Sequence, residues 1–154
     1  MKRLTTRIDP GWDQFTVQIP VRFNEVDSME VVWHGHYVAY CETAREAWLG
    51  ARGLSYQDMD RLGCPAPVAR IALEYRAPTR AGEILAVTCA QIPGGEPKLE
   101  CAYEIRGADG SLRCVAESLQ VFVDRSGTVL LSAPPPIERL FAAIAAARSV
   151  RGSG

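Results

Sequence analysis

Strict alternation marks the first element. In residues 15–23, Phe15, Val17, Ile19, Val21 and Phe23 share one face while Thr16, Gln18, Pro20 and Arg22 share the other, which predicts a half-buried strand. Pro20 has no N–H to give to a ladder, so this strand belongs at a sheet edge or carries a bulge. From His34 the period lengthens. Tyr37, Tyr40, Cys41, Ala44, Trp48 and Ala51 recur at helical spacing, and Gly53 is placed to end the helix. On the opposite side Glu42 and Arg45 are spaced i,i+3, predicting a polar stripe for solvent or a neighbouring subunit. A short helical turn is predicted over 55–63. Four more alternating runs follow at 68–76, 83–92, 98–106 and 111–124. The short Gly-containing connections at 107–110 and 124–127 are of the hairpin kind and predict antiparallel pairing. The loop Pro-Gly-Gly-Glu-Pro at 93–97 is not phosphate-cradling, because no Lys-Ser/Thr and no helix follow it. Three prolines at 134–136 stop any strand, and Ile137, Leu140, Phe141 and Ile144 then predict a closing amphipathic helix.

One strand, one long helix and four strands make an α+β pattern, a single helix against one antiparallel sheet. The run 83–92 is apolar on both faces, so its second face needs cover, which predicts a homo-oligomer. No internal repeat or linker divides the chain. Residues 1–14 read as an N-terminal extension, 15–136 as the domain, and 137–154 as a C-terminal helix or tail.

Composition narrows the class of function. The 154 residues carry 47% hydrophobic and 23% charged residues with a net charge of −1, as ordinary globular proteins do, and no basic excess points to nucleic acid. Lys2 and Arg3 are followed by a polar stretch instead of an apolar targeting segment, and no run of 18 apolar residues predicts a membrane span. The expected location is the cytoplasm. Cys41, Cys64, Cys89, Cys101 and Cys114 are odd in number and form no C-x-x-C pair, so they read as reduced core residues. A cysteine nucleophile would need a base, and the two histidines lie together in one short segment.

That segment carries the candidate chemistry. Asp27 lies in the loop after the first strand, separated from Gly35 by Met-Glu-Val-Val-Trp and so too far upstream to cap the helix. A helix starting at His34-Gly35-His36 presents free N–H groups and the positive end of its dipole. Gly35 permits close approach to the backbone. Such donors stabilise an oxyanion, each typically worth about 2.7–4 kcal/mol. A facing carboxylate can attack a carbonyl or take a proton from water. So sparse a site suits a thioester, whose thiolate leaves from an acid of pKa ~8.5 with little need of protonation. Metal is a rival reading, with His34 and His36 joined by Asp27 or Glu25, but H-x-H at a helix start does not aim both rings at one point. Trp33, Tyr37, Tyr40 and Trp48 line a pocket or simply pack. Arg70, Arg76, Arg80, Lys98 and Arg113 lie on polar strand faces or at strand ends, where such residues meet phosphates or, more often, solvent.

The stretch Val-Arg-Phe-Asn-Glu-Val-Asp (21–27), continued by Val-Val-Trp-His-Gly-His-Tyr (31–37) and Glu-Thr-Ala-Arg (42–45), resembles the signature of the 4-hydroxybenzoyl-CoA thioesterase family of hotdog-fold enzymes. Residues 75–87 are similar to that family's second and third strands and 107–124 to its last hairpin, so the likeness runs from about Val17 to Pro136. The resemblance implies a hotdog fold, a five-stranded antiparallel sheet wrapped around one long helix, with active sites at a dimer interface in a homodimer or homotetramer. It implies an acyl- or aryl-CoA, or acyl carrier protein, thioester as substrate and needs no metal or cofactor. It makes Asp27 the catalytic carboxylate, places the oxyanion at the amide of His34 beside Gly35, and sets Tyr37 near the acyl pocket. Three positions depart from the pattern: Val26 for a common Thr, His36 for a frequent Asn, and Glu30 where Gly is usual. If that last position takes φ > 0, Glu30 is strained; if its side chain points inward, it sets a second negative charge beside Asp27. The alternatives are a non-catalytic acyl-thioester binding protein and a hotdog dehydratase or hydratase. The latter needs a His and an acid over the acyl chain, which Asp27 and His34, seven apart, do not match.

Overall fold

A computed structural model describes residues 4, 7–94 and 97–151. Lys2 and Arg3, two residues of the 93–97 loop and the tail after 151 lie outside those described. The elements in chain order are β1 (Gln14–Pro20), α1 (His36–Ala51), α2 (Tyr56–Arg61), β2 (Val68–Tyr75), β3 (Ile84–Gln91), β4 (Lys98–Arg106), β5 (Leu112–Val121) and α3 (Pro135–Arg151). The strands form one antiparallel sheet in the order β1-β3-β4-β5-β2. This is the α+β hotdog arrangement expected from the sequence, with α1 lying mainly against β1 and β3.

Pro20 is on an edge strand, opposite Ile84, where its missing N–H costs no ladder bond. β1 stops there, three residues short of the alternating pattern. Val21 is buried, but the chain then makes a single 3-10 turn over Phe23–Glu25 and Phe23 is 86% exposed. Alternation continued past the ladder because nothing in the spacing marks where pairing ends.

Helix α1 buries Tyr37, Tyr40, Cys41, Ala44, Trp48 and Leu49 against Leu85, Val87 and Cys89 of β3 and Leu99, Cys101, Tyr103 and Ile105 of β4. Full burial of each such aliphatic side chain contributes about 1.5–3 kcal/mol. Gly53, at φ 72, ends the helix in the left-handed conformation that a residue with a Cβ resists. Pro135 and Pro136 open α3, where the first-turn N–H groups have no helical partner to lose. Ile137, Phe141 and Ile144 then bury in the same core as α1.

One expectation is corrected, and the cover expected for β3 is in part supplied within the chain. Arg45 does not lie on a solvent stripe: it is 2% exposed, and its guanidinium donates to the Tyr56 hydroxyl at 2.6 Å, Tyr103 at 3.2 Å, Ser118 at 3.4 Å and the carboxylate of Glu42. Those hydroxyls come from α2, β4 and β5, so i,i+3 spacing alone could not foretell them. Part of the cover for the back of β3 comes from the chain itself. Ile8 and Trp12 pack with Ala90, Ala102 and Ile92, and Asp13 fastens that segment by accepting from Trp48 Nε1 and, in a two-pronged ion pair, from Arg52. Ile84 remains half exposed on that back face.

Candidate active site

Between β1 and α1 the chain doubles back. Val26 bridges Val32, the Trp33 N–H donates to the Glu25 carbonyl at 2.9 Å, and the Asp27 N–H donates to the Val31 carbonyl at 2.9 Å. The Glu30 N–H closes a turn on the Asp27 carbonyl at 3.0 Å, and Asp27 Oδ1 accepts the Met29 N–H at 2.8 Å. Asp27 thus shapes its own turn, as short carboxylates do. It is half-buried, and its second oxygen has no hydrogen bond among the described residues. Glu30 sits at φ 60, the one non-glycine residue at positive φ among those described. Its side chain is exposed and its carbonyl accepts from Arg80 Nη1 at 3.4 Å, so the departure from Gly strains the backbone without crowding Asp27.

The helix begins at His36, capped by Gly35 in helical conformation with no side-chain cap. The Trp33 carbonyl accepts the His36 N–H at 3.0 Å, and the His34 carbonyl accepts the Tyr75 hydroxyl at 2.9 Å. The N–H groups of His34, Gly35 and Tyr37 have no partner among the described residues. Asp27 lies opposite Val31 in the doubled-back segment, and the chain passes through the Val26–Val32 bridge and the Trp33 turn to reach His34. The close approach that Gly35 permits is taken by the Trp33 indole, since a Cβ there would stand 2.0 Å from a ring atom. That indole is 48% exposed and lies 4.8 Å from the His34 ring and 5.6 Å from His36, centroid to centroid.

Beneath the helix start, Tyr37 is 3% exposed, with Tyr75 edge-on at 5.1 Å and Tyr40 at 5.8 Å. Burial raises the Tyr37 pKa, opposed by the neighbouring Thr79 hydroxyl. The Tyr40 hydroxyl donates to Glu25 Oε2 at 2.8 Å, and that oxygen also accepts the Arg22 N–H at 2.8 Å. Burial and the adjacent carboxylate push Tyr40 far above the usual phenol range. Glu25 therefore ties the Asp27 turn to α1 by its side chain on Tyr40 and to the segment leading into α1 by its carbonyl, which accepts the Trp33 N–H. Sequence spacing offers Glu25 as a metal ligand and Tyr40 as an aromatic that lines a pocket or simply packs, and neither as a partner of the other. It passed over Tyr75 and Thr79, which only the pairing of distant segments brings to the helix start.

Other candidates fall elsewhere. Among the described residues no three His, Cys, Asp or Glu side chains converge to hold a metal ion. All five cysteines are buried and unpaired, and burial raises the pKa of Cys41 and takes Cys114 to about 12, so neither supplies a thiolate near neutrality. Of the basic residues, Arg76 pairs with Glu74, Lys98 with Glu100 and Arg113 with Glu83. A cavity of about 590 Å³ lies beyond the end of α1, between residues 52–62 and α3, and one of about 530 Å³ lies beside Glu42 and Arg45; neither is lined by Asp27, His34, Gly35 or Tyr37. Among the described residues no helix is long and apolar enough to cross a membrane.

Comparison with known proteins gives a consistent set. Residues 21–144 match the model of the thioesterase-like superfamily. YneP of Bacillus subtilis is 32% identical over 108 residues, covering 70% of this chain and 78% of YneP. The acyl-CoA thioester hydrolase YbgC of Escherichia coli O6:H1 is 29% identical over 110 residues, 71% of this chain and 82% of YbgC. The structure of DHNA-CoA thioesterase from Staphylococcus aureus superimposes with a TM-score of 0.80 at 23% identity, over 90% of this chain and 95% of that one, a likeness of fold.

Proposed function

Given that this chain belongs to the thioesterase-like superfamily, we propose that it is an acyl-CoA thioester hydrolase whose reaction takes place between Asp27 and the start of α1. The observation that carries the reading is that one short segment holds both a half-buried carboxylate, bonded through one oxygen only, and unpartnered amides at His34 and Gly35. The substrate is an acyl- or aryl-CoA, or the same thioester on an acyl carrier protein. Its carbonyl oxygen accepts from the His34 N–H while its carbonyl carbon faces Asp27.

The chemistry needs few parts. As a nucleophile, Asp27 adds to the carbonyl carbon, the C–S bond breaks, the thiolate leaves, and water then cleaves the mixed anhydride to regenerate the carboxylate. As a general base, it takes a proton from the water that attacks the same carbon, and the thiolate again departs. In either course negative charge grows on the thioester oxygen, where fixed amides and the helix dipole stabilise it without reorganisation. Tyr37, buried beside the helix start, lies against the acyl group. The exposed Phe23, Met29 and Trp33 around the turn, and the unpaired edge of β2, support a homodimer or homotetramer in which a second subunit closes the site.

The test is thiol release from a panel of acyl- and aryl-CoAs, followed with a chromogenic disulfide reagent, for wild type and Asp27→Asn. Wild type should turn over at least one of them, and Asp27→Asn should lose at least about 10²-fold in kcat, on the scale of a removed general base. Tight binding with no thiol released would make the protein a thioester binder and end the proposal. Label in Asp27 after single turnover in H₂¹⁸O identifies the anhydride route with water attacking the Asp27 carbonyl, because a general base acquires none.

A further inference from the structure

The peptide unit joining His34 to Gly35 is held from outside the helix. Its oxygen accepts a 2.9 Å hydrogen bond from the hydroxyl of Tyr75, the last residue of β2 and 41 positions away. A trans peptide is planar, with its C=O and N–H pointing in opposite directions. Fixing the His34 oxygen therefore fixes where the Gly35 N–H points, and that N–H has no partner among the described residues. The preceding unit is set from within the segment: the His36 N–H holds the Trp33 oxygen and so aims the His34 N–H.

We infer that Tyr75 is a positioning residue for thioester hydrolysis, and that through it the Gly35 N–H joins that of His34 as a second donor to the thioester oxygen. The inference rests on the reading of the helix start as the oxyanion site. Three features support it. The Tyr75 ring stands edge-on to Tyr37 at 5.1 Å, which limits the swing of its hydroxyl. Burial raises the Tyr75 pKa, so the hydroxyl remains a donor throughout the neutral range. A carbonyl that accepts a hydrogen bond also makes the N–H of its own unit a stronger donor, by about 10–30% per bond. Donors already aligned when charge develops are those that accelerate the chemical step rather than tighten substrate binding.

Tyr75→Phe removes the hydroxyl and keeps the ring on Tyr37. Complete loss of an oxyanion donor costs about 10²–10³ in kcat; with the amide still present but no longer held, kcat should fall about 10-fold. KM and the thermal unfolding midpoint should stay at their wild-type values. A wild-type kcat in Tyr75→Phe, or a loss confined to KM, would overturn the inference. The two levels separate cleanly. If wild type cleaves a thioester and Asp27→Asn does not while Tyr75→Phe matches wild type, only the positioning role fails; if wild type cleaves none, the functional reading fails first.

Discussion

Replacing Glu30 with glycine should stabilise the protein. At φ 60 the Glu30 Cβ crowds the backbone, a conformation that costs an ordinary residue about 1–2 kcal/mol. Glycine removes that cost but brings more freedom to the unfolded chain, about 0.5–1 kcal/mol in the opposite direction. Nothing else of consequence is lost. The exposed side chain makes no hydrogen bond among the described residues, while the 3.0 Å bond to the Asp27 carbonyl and the contact from Arg80 both use the Glu30 backbone. At mid-range the net gain is about 0.75 kcal/mol, which at 2–4 °C per kcal/mol for a chain of this length raises the melting midpoint by about 1.5–3 °C. Thermal and urea unfolding of Glu30→Gly should be compared with Glu30→Ala, which removes the carboxylate and keeps the strain. If the Ala variant gains as much as the Gly variant, or if Gly lowers the midpoint, backbone strain is not what position 30 carries.

Two further outcomes follow from burial. Arg45→Ala should cost about 3–5 kcal/mol in urea denaturation, because it breaks a buried, hydrogen-bonded cation from three hydroxyls and leaves a void. Arg45→Met, which fills the space without charge, should cost clearly less, and equal losses would refute the cavity part of that account. The five buried cysteines should be silent towards a disulfide reagent in the native protein and react together, five equivalents, once it is unfolded. A native equivalent reacting within the time of the thiol-release assay would contradict their burial.

How much of this was legible beforehand depended on the range of the interaction. The stripe of Tyr37, Cys41, Ala44 and Trp48, the stop at Gly53 and the edge position of Pro20 follow from local spacing and backbone chemistry, and all appear in the fold. The helix starts at His36 instead of His34 because Trp33 to Gly35 form a turn closed on the Trp33 carbonyl. The positive φ at Glu30 was conditional on a missing glycine and is now explicit. What spacing could not supply were the ties between remote segments: Tyr75 on the His34 carbonyl, Glu25 under Tyr40, and the hydroxyls that draw Arg45 inward. Each joins elements whose separation along the chain is unrelated to any helical or strand period, and the first two lie at the candidate site.

The Trp33 indole roof over Gly35 also has a spectroscopic consequence. Of the chain's three tryptophans, Trp48 is sealed in the core and hydrogen-bonded to Asp13, whereas Trp33 is half in water and flanked by two imidazoles. A molecule reaching the amides beneath it must slide along or displace a natural fluorophore. Occupancy of that spot thus writes itself into the emission of the unlabelled protein.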